Sequence, residues 1–240
     1  MMERRSLGNF SKQNIKSFLA RFFSMVFGFM LYSFGVVIII KANIGYAPWE
    51  VFHVGVANTV GLSIGTISIL TGFFILIVVA LLGEKLGLGT IANMLLIGLF
   101  IDMFLFIDII PIMNNMVIGI LMLIAGLFII SLGLYFYIKS AFGAGPRDSL
   151  MVALTRKTKI PVGICRCIIE FFATLGGWLL GGMVGIGTVI SVIAIGFCVQ
   201  ITFKLLKFNV AAVQHETLRD TFKFIQKIIT QRRRGTKGYG

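Results

Sequence analysis

Two short segments of this 240-residue chain concentrate the side chains best suited to chemistry, KANIGYAPWE at 41–50 and KSAFGAGPRD at 139–148. In each, glycine permits the positive-φ turn that ends a helix. Proline then fits the first position of the next helix, where its missing N–H costs nothing. Glu50 or Asp148 comes next in the first turn and complements the positive helix end. On this account alone each segment is a stop–start signal. A broken helix is also a binding device, because its free N–H groups point at whatever lies before it. Arg147 beside such an end favours an anionic group. Glu50 and His53, at i and i+3, share a face suited to a cation or a proton, although a histidine there serves equally as a satisfied packing residue. The candidate substrate-binding residues are therefore Asn43, Gly45, Glu50, His53, Gly143, Gly145, Arg147 and Asp148. Arg166 and Glu170, four apart on an apolar helix, form a candidate intramembrane ion pair, read as structural rather than as part of a relay.

Composition states where these breaks must sit. Hydrophobic residues make up 58% of the chain and charged residues 13%, with a mean hydropathy of +0.98. A soluble domain carries about 25% charged residues, so this chain cannot cover a water-facing surface and belongs in a bilayer. That excludes an ordinary soluble enzyme and a nucleic-acid-binding domain, despite a net charge of +13. The charge lies at the ends: residues 1–21 carry a net +4 and residues 204–240 a net +7. Basic ends beside apolar segments suit an anionic cytoplasmic leaflet. The basic run at 231–234 has no nucleic-acid fold around it. Cys165, Cys167 and Cys198 lie in apolar stretches with no neighbouring His, which implies neither a metal site nor a disulfide framework. No Walker A, His-Glu-x-x-His or G-x-S-x-G pattern occurs, so no enzyme, cofactor or catalytic residue is expected.

Six stretches are apolar for the roughly 20 residues that cross a bilayer: 22–41, 64–83, 88–108, 117–138, 161–181 and 185–205. Residues 48–60 and 146–158 are shorter, open with Pro and contain polar residues. Slid against itself by 98 residues, the chain aligns without a gap from Gly28/Gly126 to Gly98/Gly196. Eight Gly–Gly matches fall among these 71 positions, where composition predicts about one. Pro48 meets Pro146, and Thr90 meets Thr188. The expected fold is all-α and polytopic. Two tandem repeats at 22–109 and 110–207 each contribute three crossings and one short Pro-initiated helix. An odd number of crossings inverts the second copy. With the N-terminus inside, Lys85 and the five basic residues of 139–160 also fall inside, as the positive-inside rule favours; Lys41, at a helix end, is the exception. Were the short helices to cross as well, eight crossings would place Lys85, Lys139 and Arg147 outside; six is the favoured count. Residues 208–240 read as a basic amphipathic helix with Leu218, Phe222, Ile225, Ile228 and Ile229 on one face, lying on the inner leaflet and ending in a disordered tail from 232.

The strings IIIKANIGYAPWEVFHVGVAN (38–58), GEKLGLGTIANMLLIGLFID (83–102) and IKSAFGAGPRDSLMVALTRKT (138–158) resemble the YczE/YyaS/YitT family of bacterial integral membrane proteins, most nearly its YczE branch. The resemblance runs over nearly all of 20–205. It implies a multi-pass protein of the cytoplasmic membrane and supplies no catalytic residues to carry over. The function expected is secondary transport or permeation of a small solute. The competing expectation is a non-transporting membrane factor that binds or assembles a partner, with a membrane enzyme behind both.

Overall fold

A computed structural model describes the backbone of residues 2–224, 226 and 230, with the side chains of 15–210, 212–224, 226 and 230. The described chain is all-helical: α1 (Met2–Ala42), α2 (Pro48–Val60), α3 (Ile64–Leu81), α4 (Leu88–Ile107), α5 (Met116–Lys139), α6 (Pro146–Thr158), α7 (Val162–Leu179) and α8 (Ile186–Leu205). Six of them are long and apolar enough to cross a membrane: 15–42 within α1, and α3, α4, α5, α7 and α8. The 13-residue α2 and α6 are the short Pro-initiated helices. The first helix differs from expectation at its start, because α1 runs without a break through the basic segment before residue 22.

The core is built on α1 and α5, which run antiparallel over residues 21–42 of α1. Arg21 Nε donates to the Ser140 carbonyl and Ser24 Oγ to the Phe136 carbonyl. Farther along, Gly28 faces Gly133, Gly35 faces Gly126, and the Ala42 carbonyl faces Gly119. A methyl group added at Gly35 would lie 2.7 Å from the Gly126 carbonyl oxygen, and one at Gly133 would lie 2.6 Å from that of Gly28. Small residues are what permit such backbone approach where lipid offers no hydrophobic drive for helices to associate. Met25, Phe29, Val36, Ile39, Leu123 and Leu127 fill the surrounding core.

The remaining contacts recur at the 98-residue offset. The α1–α2 break lies against the α7–α8 turn: the Gly187 N–H donates to the Ile44 carbonyl at 2.8 Å, and a Cβ on Gly45 would meet Thr188 Oγ1 at 2.9 Å. The α5–α6 break lies against the α3–α4 turn in the same way. The Gly89 N–H donates to the Phe142 carbonyl at 2.8 Å, and a Cβ on Gly143 would meet Thr90 Oγ1 at 2.7 Å. Asn43 (φ +55°) and Ala141 (φ +61°) occupy matching left-handed positions, each succeeded two residues later by a positive-φ glycine, Gly45 (φ +110°) and Gly143 (φ +131°).

One contact does not recur. Helices α3 and α4 pack tightly where Gly65 meets Gly98, and a Cβ on Gly65 would fall 2.0 Å from the Gly98 carbonyl oxygen. Asp102 locks the crossing by accepting from the Gly65 N–H at 2.7 Å and from the Ser63 hydroxyl. It thereby binds the start of α3 to α4. Helices α7 and α8 make almost no contact, and nothing lies within 4 Å of a Cβ placed on Gly163 or Gly196.

The two ends of the bundle are tied differently. At one end Lys41 pairs with Asp108, the Met113 N–H donates to the Lys41 carbonyl, and the Tyr46 N–H donates to the Met183 carbonyl. At the other the chain beyond α8 folds back, so that the Glu216 N–H donates to the Ala141 carbonyl and the Leu218 N–H to that of Leu86. Arg21 pairs with Glu216 at 2.7 Å. Glu84 pairs with Arg156 at 3.2 Å. Residues 218–224 are helical, opened by the Thr217–Asp220 capping bonds, which hold the Asp220 carboxyl below the usual range. Phe224 stacks on Phe18, so this segment is partly seated on protein rather than lying free on a leaflet. Ile225, Ile228, Ile229 and the tail from 232 lie outside the described residues.

Gly35→Ala is expected to lower stability by about 1–3 kcal/mol, the usual cost of overpacking, while Gly163→Ala is expected to change it little. Thermal unfolding of the two purified variants measures the difference.

Candidate functional site

Helices α2 and α6 both begin at the centre of the bundle. Pro48 and Pro146 open them, and Ala47 and Gly145 precede them in extended conformation without a side-chain cap for the first turn. A cavity of about 180 Å³ lies there, lined by residues from each of α1–α8. Its lining obeys the 98-residue offset closely. Twenty of the twenty-five lining residues form ten pairs at that separation, among them Glu50 with Asp148, Trp49 with Arg147, Ser68 with Arg166, Gly72 with Glu170 and Asn93 with Ser191.

In four of these pairs, Tyr32 with Ile130, Trp49 with Arg147, Ser68 with Arg166 and Gly72 with Glu170, the chemistry differs outright. Arg147 crosses to the other half of the chain, where its guanidinium lies 3.8 Å from Glu50, 3.4 Å from His53 Nε2 and 4.5 Å from the centre of the Trp49 ring. The Arg–Glu separation is too long for a hydrogen bond, so the pair is electrostatic and loose. Asp148 accepts from the Tyr137 hydroxyl at 2.9 Å. Arg166 and Glu170 are bonded at 2.8 Å, and both line the cavity. The site thus holds three carboxylates and two guanidiniums in a space bordered by Tyr32, Asn93, Ser68 and Ser191. The Ser191 side chain is 1% exposed and its hydroxyl has no hydrogen-bond partner among the described residues. The His53 ring, also 1% exposed, has an unpartnered Nδ1. A buried unpaired polar group costs about 1–3 kcal/mol, so each marks a place where something polar fits.

The structure sorts the residues singled out from sequence. Glu50, Gly145, Arg147 and Asp148 line the cavity, and His53 touches Arg147 from behind. Gly45 and Gly143 do not line it. Their missing side chains admit the backbone of Gly185 and of Gly87, and their role is packing. Asn43 is also displaced from the site, because its left-handed backbone turns the amide toward the Met113 carbonyl at the bundle's edge. Arg166 and Glu170, which the sequence alone sets apart, join the site residues. Tyr32, Tyr137, Asn93 and Ser191 carry no local signal, although a search for polar side chains at one offset finds Asn93 and Ser191. Among the described residues no cluster of His, Cys, Asp or Glu could hold a metal ion.

Six long apolar helices around a charged central cavity define a polytopic membrane protein. Residues 19–204 match the model of a family described as "Family of unknown function (DUF6198)", and the chain belongs to that family. It is 34% identical over 190 residues to "Uncharacterized membrane protein YczE" of Bacillus subtilis (strain 168), covering 77% of this chain and 87% of that one. It is 30% identical over 182 residues to an "Uncharacterized protein" of Haemophilus influenzae, covering 76% and 83%. It is 25% identical over 183 residues to "Uncharacterized protein YyaS" of Bacillus subtilis, covering 75% and 90%. No solved structure matches the chain.

If Glu50 and Arg147 interact across the halves, a double-mutant cycle of Glu50→Gln and Arg147→Gln should give a coupling energy of about 0.5–3 kcal/mol in thermal or denaturant unfolding. Strictly additive effects would separate the two residues.

Proposed function

We propose that this chain is a secondary transporter or permease for a small polar solute, built from two inverted repeats, with the central cavity as its binding site. The observation that carries the reading is the charged, pairwise-related lining of that cavity, set between two broken helices at the middle of an apolar bundle. Charged side chains at such depth are costly, and they survive where they serve a pathway or one another. Antiparallel α1 and α5 and the paired break–turn contacts support a two-fold axis in the membrane plane.

The unequal helix crossings support movement. In the proposed orientation both termini are cytoplasmic. The sealed Gly65–Gly98 crossing then lies toward the outside, and the gap between α7 and α8 toward the cytoplasm. This is an inward-open arrangement, and exchanging the two crossings would open the other side. A packing difference of this kind is how two inverted halves alternate access around a fixed site. Described basic residues near the chain ends, such as Lys16, Arg21, Lys204 and Lys207, lie toward the anionic inner leaflet in this orientation.

Cysteine accessibility tests the reading. With Cys165, Cys167 and Cys198 replaced by serine, Ser191→Cys should react with a membrane-impermeant thiol reagent in inside-out vesicles and be protected in intact cells. Protection from both faces would remove the pathway and favour a non-transporting membrane factor.

A further inference from the structure

We propose that the central cavity takes a small organic monocation bearing N–H donors, a primary ammonium, which Asp148 receives. Passage of this ligand rests on the transport reading; its binding does not. Formal charge sets the sign. Glu50, Asp148 and Glu170 oppose Arg147 and Arg166, which leaves one carboxylate in excess. Helix N-termini add only partial positive charge there.

Geometry then says which carboxylate is in excess. Glu170 is bonded to Arg166 at 2.8 Å. Glu50 has Arg147 at 3.8 Å, and that guanidinium is also flanked by the Trp49 ring and His53. Among the described residues, Asp148 is hydrogen-bonded by a neutral hydroxyl, that of Tyr137, and forms no salt bridge; Arg166, bonded to Glu170, acts on it only from beyond salt-bridge distance.

Asn93, Gly145 and Asp148 lie together on the cavity wall. A Cβ on Gly145 would crowd Asp148 Oδ2 at 3.3 Å and both amide atoms of Asn93 at 3.4 Å, so the bare glycine keeps the carboxylate and the amide uncovered side by side. Ser191, which matches Asn93 at the 98-residue offset, offers its unpartnered buried hydroxyl to the same cavity. An ammonium group has three donors, and the carboxylate, the Asn93 carbonyl oxygen and a serine hydroxyl are three acceptors. At about 180 Å³ the cavity is smaller than the roughly 300–1,000 Å³ of drug-sized sites, which restricts the ligand to a few carbons beyond its charged group.

The test titrates the purified chain in lipid nanodiscs at pH 7 with n-butylammonium, butyrate and γ-aminobutyrate, monitored by calorimetry and thermal shift. Butylammonium is expected to bind and the other two to leave the protein unchanged. Asp148→Asn should weaken butylammonium about tenfold or more, the worth of one charged hydrogen bond. If that variant does not fold, Ser191→Ala should still weaken binding several-fold. Binding of butyrate or γ-aminobutyrate in preference, binding unaffected by these substitutions, or no binding by any of the three would overturn the assignment. Uptake of butylammonium into proteoliposomes is measured separately. Binding without uptake would retain the ammonium site and remove transport, whereas uptake of an anion or zwitterion through the cavity would do the reverse.

Discussion

Everything in this molecule hangs on the close antiparallel approach of α1 and α5. Two pairs of glycines, Gly28 with Gly133 and Gly35 with Gly126, bring the backbones nearer than any side chain would allow. Gly28 and Gly126, like Gly35 and Gly133, are 98 residues apart, so the two helices meet through glycines at corresponding positions. That is the membrane analogue of a self-complementary dimer interface. Once α1 and α5 are fixed in this way, the breaks at their C-terminal ends are carried to opposite ends of the bundle. Each must then seat on the interhelical turn of the other half, as the Ile44–Gly187 and Phe142–Gly89 bonds do.

The site is a consequence of this interlocking. Starting α2 and α6 in the middle of the bundle places two helix N-termini, without a side-chain cap from Ala47 or Gly145, where no lipid can satisfy them. Glu50 and Asp148 compensate at equivalent positions, which accounts for an acid in both halves. The halves then depart from one another where identical residues would fail. Two acids facing each other would repel, and Arg147 in place of a second Trp49 counters one of them. Arg166 and Glu170 occupy the places of Ser68 and Gly72, adding a paired charge on one wall. The side with this ion pair is also the side on which α7 stands away from α8. Positions paired at one offset line the cavity, and the differences between them give it polarity.

Much of the frame is legible in the residues themselves. Apolar runs and Gly/Pro punctuation locate α3, α4, α5, α7 and α8 within a few residues of their bounds, because burial in lipid and helix capping act locally. The start of α1 is not legible in this way: its basic first turns carry no hydropathy signal, yet they continue the same helix. At the site, Arg147, Asp148 and Glu50 stand out because an ionisable residue is rare in an apolar chain. Nearness in sequence suggests the cavity for Asn43, Gly45 and Gly143 too, but a left-handed residue redirects the backbone beyond it, and only the tertiary contact shows where. Tyr32 and Tyr137 are invisible for the opposite reason, since an aromatic in an apolar helix looks the same whether it faces lipid, core or cavity.

The direction of α5 relative to α1 is the claim on which the inversion, the shared cavity and the alternation all depend. Short-range thiol cross-linking in membranes, on a chain with its three cysteines replaced by serine, measures it directly. Phe27 and Phe136 have ring centres 5.1 Å apart, so Phe27→Cys with Phe136→Cys should be joined by a short bifunctional reagent in high yield. Phe27→Cys with Ala125→Cys, the pair that a parallel arrangement would bring together, should not. Efficient joining of the second pair and none of the first would contradict the architecture and dissolve the site with it.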